Sequence, residues 1–107
     1  MERSSPKRKT MKNLQDVLQD AQTKFVDVRS AQEFQSGHFP GAQNIPLDTL
    51  LDVTDELKEL HQPIVLYCRS GARSASAVML LKEAGLEEVY NGGALESLLL
   101  LTQKNLN

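Results

Sequence analysis

The chain has 107 residues, 40% of them hydrophobic and 24% charged, with a net charge of −2; that is enough for one domain with its own core and ordinary for a soluble globular protein. A single cysteine excludes an internal disulfide framework, and His38 and His61 have no cysteine near them, so no metal-ligand spacing exists and both histidines read as structural or surface residues. No stretch approaches the ~20 apolar residues of a membrane span, and the charged N-terminus has no apolar segment behind it to act as a secretory signal, so a cytoplasmic protein is expected.

Charge is spread unevenly. Met1 to Lys12 carries a balance of +4, which leaves −6 on the remainder. Residues 1–12 read as a flexible basic tail and residues 13–107 as a single domain. Within the acidic body, His61 to Leu81 contains Arg69 and Arg73 and no acid. A local cationic spot in an acidic domain suits a small anion better than a nucleic acid or a membrane.

In chain order, Leu14, Val17, Leu18 and Ala21 recur at helical spacing, with Thr10 or Asn13 as the cap. Lys24 to Arg29 reads as a strand that is apolar until Asp27. Ser30 with Glu33 forms a capping-box pattern for a short helix that Gly37 ends. His38 to Ala42 is a turn, and Ala42 to Ile45 a short strand. Leu47, Leu50, Leu51, Leu57 and Leu60 predict a helix over Asp48 to Leu60.

The next stretch organises the rest. Ile64 to Tyr67 reads as a buried strand, and Ala75 to Ala84 as an apolar helix that Gly85 stops. Between them lies Cys68-Arg69-Ser70-Gly71-Ala72-Arg73-Ser74. A strand turning tightly into a helix aims backbone N–H groups and the positive end of the helix dipole at one spot. A thiolate placed there is stabilised, as is an anion brought up to it. A lone cysteine is more often a small buried hydrophobe, but Cys68 sits where the apolar run ends and is followed at once by Arg-Ser-Gly, which reads as a nucleophile in an anion cradle.

Glu88 to Tyr90 is a last short strand, Asn91-Gly92-Gly93 a second tight loop, and Ala94 to Leu101 a closing helix. Alternating strands and helices imply an α/β domain with parallel, right-handed crossovers. The loops holding Cys68, Arg29 and Asn91 then converge at the carboxyl ends of the strands. The apolar helix after Cys68 is expected to be the central one packed on the sheet.

Two separated signatures resemble the rhodanese-like sulfurtransferases, above all the short single-domain members. One is Asp27-Val28-Arg29, then Glu33-Phe34, then Gly37-His38-Phe39-Pro40-Gly41-Ala42-Gln43-Asn44-Ile45-Pro46. The other is Tyr67-Cys68-Arg69-Ser70-Gly71-Ala72-Arg73-Ser74, followed by Val89-Tyr90-Asn91-Gly92-Gly93. The resemblance covers roughly Leu14 to Leu101. It implies a central parallel sheet of about five strands flanked by helices on both faces. The first strand is either very short or lies in Arg8 to Lys12.

It also implies that Cys68 is the catalytic residue and that Arg69, Ser70, Gly71, Ala72, Arg73 and Ser74 bind the substrate. The thiolate takes the outer sulfur of a donor such as thiosulfate, sulfite leaves, and a cysteine persulfide remains. Cyanide or a thiol, on a small molecule or a protein, then accepts the sulfur. No metal or organic cofactor is implied. Asp27 and Arg29 are expected as a supporting buried pair that fixes the loop.

Loop position gives the arginines separate expectations. Arg69 leans outward to the mouth, and Arg73 folds back onto Asp27 to brace the loop. Two rival readings stand beside the enzyme. A cysteine phosphatase spaces its cysteine and arginine by five residues, whereas Cys68 and Arg73 enclose four, and no acid lies in the loop to protonate a leaving oxygen. A non-catalytic binding module of the same family would not need the cysteine and loop charge that this chain keeps.

Overall fold

A computed structural model describes residues 13–107; the basic tail and the expected first-strand position in Arg8 to Lys12 lie outside the described residues. Asn13 caps helix α1 (Leu14–Leu18) by accepting the Asp16 N–H at 2.9 Å. The chain continues through strand β1 (Lys24–Asp27), helix α2 (Ala31–Gln35), strand β2 (Gln43–Asn44), a 3₁₀ helix (Leu47–Val53) and helix α3 (Thr54–Glu59). Strand β3 (Ile64–Cys68), helix α4 (Ala72–Glu83), strand β4 (Val89–Ala94) and helix α5 (Leu95–Thr102) complete it.

The described strands form one parallel sheet in the order β2-β1-β3-β4. Every residue of β3 is buried, as expected of a central parallel strand covered on both faces. Side chains alternate along it. Ile64, Leu66 and Cys68 join Val26, Val28, Leu50, Leu57, Ala77 and Leu81 in the larger core, under α3, α4 and the 3₁₀ helix. Tyr67 points the other way, into a smaller core with Phe39, Leu95 and Leu98, against which Leu18, Phe25, Ala42 and Leu99 pack. The sheet is therefore sandwiched by helices, and Cys68 lies on the face that carries α4.

Four local expectations change. The helix predicted over Asp48 to Leu60 is broken into 3₁₀ and α segments at Val53, whose backbone (φ −120°, ψ 18°) leaves the helical region. Thr49 and Thr54 hydroxyls donate to the Pro46 and Leu51 carbonyls, local bonds that compete with a regular α ladder. Helix α1 stops at Leu18, so Ala21 falls in the following turn. Helix α4 begins at Ala72 rather than Ala75, and it is half-exposed: Ser74, Ala77 and Leu81 are buried, whereas Ala75, Ser76 and Met79 face outward.

The fourth change bears on the site. Asn91-Gly92-Gly93 is not a loop but lies within β4. There the register slips, so that Asn91 opposes Leu66 and Gly93 opposes Tyr67, with Gly92 the extra residue of a β-bulge. Gly92 has no room for a side chain, since a Cβ there would lie 2.8 Å from Val65 Cγ1 and 3.2 Å from the Leu66 carbonyl oxygen. The glycine lets β4 pass close to β3, and the bulge turns Asn91 toward the Cys68 loop.

Candidate active site

Cys68 ends β3, and only Arg69, Ser70 and Gly71 separate it from α4. So tight a reversal is possible because Gly71 caps α4 at φ 98°, a left-handed conformation that costs glycine little. Ala72, Arg73 and Ser74 therefore form the first helical turn rather than a loop. Ser74 and Ala77 face inward there and carry the helix N-terminus over the sulfur.

The sulfur is fully buried and surrounded by donors. Gly71 N–H donates to Sγ at 3.0 Å and Ser74 N–H at 3.4 Å, with the Ser74 hydroxyl at 3.5 Å. Burial by itself pushes the thiol pKa up, but the Ser74 hydroxyl and the N–H groups of Ser74, Gly71 and Ser70 outweigh it, and the pKa is lowered. The arrangement favours a thiolate at the N-terminus of a helix of about three turns.

Arg69 and Ser70 are exposed beside the sulfur, as the outward placement of Arg69 requires. Arg73 departs from expectation. It forks onto Glu33 of α2, with Nη1–Oε1 at 2.8 Å and Nη2–Oε2 at 3.0 Å, and does not reach Asp27. The alternation of β1 explains why. Val26 and Val28 face the core under α4, so Asp27 and Arg29, one residue off in each case, face the opposite side of the sheet.

On that opposite side Asp27 takes its own arginine. Arg29 Nε and Nη2 donate to the two carboxylate oxygens at 2.9 and 2.7 Å, and the Arg29 backbone N–H donates to Oδ1 at 2.9 Å. The same Nη2 reaches the Gly37 carbonyl at 2.7 Å. Burial and the neighbouring Asp27 carboxylate raise the phenol pKa of Tyr67, the residue before Cys68, and its hydroxyl accepts the Phe39 N–H at 2.9 Å. Asp27 and Arg29 therefore do form a buried pair, but what it fixes is the 37–39 turn and the far side of β3.

Three further residues, Glu33, Tyr67 and Asn91, contribute to the site beyond those that the sequence motifs assign to it. Glu33 completes the α2 capping box and also pins Arg73; the capping pattern is legible, whereas the second role is not. Tyr67 reads only as an apolar strand residue. Asn91 accepts from the Ser74 hydroxyl at 2.7 Å and from the Gly93 N–H at 2.8 Å, and donates to the Gly71 carbonyl at 3.4 Å. It thereby ties β4 to both ends of the Gly71–Ser74 turn.

Residues 10–95 match the model of the rhodanese-like domain. The chain belongs to the rhodanese-like family. Among its relatives is the uncharacterized protein YqhL of Bacillus subtilis, 40% identical over 67 residues, which are 63% of this chain and 52% of YqhL. Another is the tRNA uridine(34) hydroxylase of Escherichia fergusonii, 34% identical over 87 residues, covering 75% of this chain and 25% of the hydroxylase. This rhodanese-like chain thus spans about half the length of the first and a quarter of the second. Among solved structures, the rhodanese from E. coli superposes with a TM-score of 0.61 at 29% identity, covering 70% of this chain and 89% of the other. A parallel sheet between two helical layers is the architecture this membership implies, and a sulfurtransferase-type function is supported at family level.

Proposed function

We propose that the protein is a sulfurtransferase that moves a sulfane sulfur from thiosulfate or another persulfide donor to a thiophilic acceptor through a persulfide on Cys68. The observation that carries this reading is the set of donors around Sγ: two backbone N–H groups and one hydroxyl within 3.5 Å of the only thiol in the chain. In the first step the Cys68 thiolate attacks the outer sulfur of the donor. An S–S bond forms, the bond between the two donor sulfurs breaks, and its electron pair leaves with sulfite. The persulfide is itself anionic, so the same groups that favour the thiolate favour the intermediate. In the second step cyanide or a thiolate, on a small molecule or a protein, attacks the outer sulfur, and the Cys68 thiolate is the leaving group.

Within this scheme Arg69 and Ser70 meet the incoming anion at the mouth, Gly71 and Ser74 hold the sulfur, and Ala72 and Arg73 shape the helix turn above it. Asp27 and Arg29 act as supports on the far face. The free thiol suits a reducing, cytoplasmic setting. The hydroxylation named for the tRNA-modifying relatives is not carried over, because the match spans only a quarter of those chains.

Incubation with thiosulfate, followed by intact-mass measurement, tests the proposal. One added sulfur is expected on the wild type and none on Cys68→Ser, with cyanide removing the sulfur again. An unchanged mass in the wild type with thiosulfate and also with a small-molecule persulfide donor leaves the non-catalytic module as the reading.

A further inference from the structure

We propose that Asn91 is a positioning residue for Cys68: its carboxamide holds the Ser74 hydroxyl proton while the sulfur is a thiol and releases it to the sulfur when the thiolate forms. The inference rests on the reading of Cys68 as the nucleophile.

The hydroxyl of Ser74 has one proton and three acceptors within reach: Asn91 Oδ1 at 2.7 Å, the Gly71 carbonyl at 3.1 Å and Cys68 Sγ at 3.5 Å. The Gly71 carbonyl is already served by the Ala75 N–H at 3.0 Å and by Asn91 Nδ2 at 3.4 Å. The proton is therefore contested between Asn91 and the sulfur. The orientation of the carboxamide is fixed by the Gly93 N–H, which only donates and lies 2.8 Å from Oδ1. The acceptor end of Asn91 must therefore face Ser74.

In the thiol form, S–H donates to Ser74 Oγ and the hydroxyl donates to Asn91. When the thiol loses its proton to solvent, the sulfur becomes an acceptor and the hydroxyl turns to it. Asn91 Oδ1 then keeps the Gly93 N–H, so no polar atom is stranded. Asn91 thus stabilises the thiol form selectively and sets how readily the sulfur ionises. The charged groups around the sulfur are Arg73 of α4, paired with Glu33 of α2; Arg29 and Asp27, paired with each other on the opposite face of the sheet; and Arg69 at the mouth. Substituting Asn91 changes none of these, and the Tyr67 hydroxyl is engaged with the Phe39 N–H.

The test is direct titration of Cys68, the sole thiol, by iodoacetamide alkylation rate and thiolate ultraviolet absorbance against pH; neither readout needs a sulfur donor. Ser74→Ala raises the midpoint, because the thiolate loses a donor. Asn91→Ala lowers it by about half a unit to one unit, the share of one neutral hydrogen bond. In a Ser74→Ala background, Asn91→Ala leaves the midpoint where it is. An Asn91→Ala effect that is absent, or equal with and without the Ser74 hydroxyl, overturns the proposal. So does a loss of Tm with no change in midpoint, which assigns Asn91 to closing the β-bulge alone. If Asn91→Ala does not fold, Asn91→Asp retains the acceptor for the Gly93 N–H. Its rise in midpoint must then be larger with Ser74 present than with Ser74→Ala, and an equal rise overturns the proposal. A persulfide that never forms, with these shifts intact, removes the sulfurtransferase reading and leaves the role of Asn91 standing.

Discussion

Two carboxylate–guanidinium pairs flank the Cys68 turn, and they differ in where they sit. Asp27–Arg29 is closed off from solvent, its side chains 0% and 8% exposed. Glu33–Arg73 has a similar fork but lies at the rim, 30% and 39% exposed. The same chemistry carries different energetic weight in the two places. Removing one member of a buried pair leaves an uncompensated charge in a low-dielectric interior, whereas at the rim water takes over. The far-face pair is therefore a structural anchor behind the site, and the rim pair is an adjustable brace in front of it.

The largest effect expected is on the anchor. Arg29→Ala strands Asp27, deprives the Gly37 carbonyl of its donor, and costs about 3–5 kcal/mol of stability. Arg29→Lys retains the charge but loses the fork, so its cost falls between that of alanine and the wild type. Denaturant unfolding of the two variants measures both. A loss from Arg29→Ala no greater than that from Arg73→Ala would erase the distinction between the pairs.

The brace is expected to matter less for stability and more visibly with pH. Glu33 is held at about 2, below its ordinary 4.5, first by the Arg73 ion pair and then by the Ser30 backbone N–H. Its stabilisation is therefore fully present above the ordinary carboxylate value and is lost as pH falls through about 2. Glu33→Gln and Arg73→Ala should each cost ~1 kcal/mol or less near neutral pH, and the gap between Glu33→Gln and the wild type should close in strong acid. Unfolding free energy measured from neutral to acid pH checks this. A gap that widens in acid would mean that Glu33 is stabilised in its protonated form. Arg73→Ala should lower kcat beyond its small effect on stability, since the first turn of α4 then loses its tether to α2.

The sequence carried local information well and long-range pairing poorly. Cys68 at the end of an apolar run, the Ser30–Glu33 capping box and the Asp27–Arg29 spacing are each decided within a few residues, and each is found in the structure. The partner of Arg73 is not local: Glu33 lies 40 positions away, and choosing it over Asp27 requires knowing which face of β1 Asp27 takes. The nearness of Asn91 to Cys68 was legible from the strand ends, but its place inside a strand and its bonds to Ser74 were not. Two consecutive glycines read as a loop, whereas here they permit a bulge inside a strand, with Gly92 pressed against Val65 and Leu66. Helix α4 misled in the opposite direction, because alanines are as compatible with an exposed face as with a buried one.

The smallest expected effect belongs to Arg69, and it separates the mouth from both pairs. Arg69 is exposed and its guanidinium makes no hydrogen bond or ion pair among the described residues, so its removal leaves no orphan and should not move Tm. A dianionic donor meets this guanidinium on arrival and keeps it through the transition state, which is binding common to both states. Arg69→Ala should therefore raise KM for thiosulfate roughly fivefold, the worth of an exposed charge contact of about 1 kcal/mol, with kcat held. Because the contact is screened, raising ionic strength should raise the wild-type KM toward that of the variant and leave the variant nearly unmoved. Steady-state kinetics at low and high salt decide it. A fall in kcat at unchanged KM would place Arg69 on the charge that develops as sulfite leaves, making it a partner of the reaction rather than of the encounter.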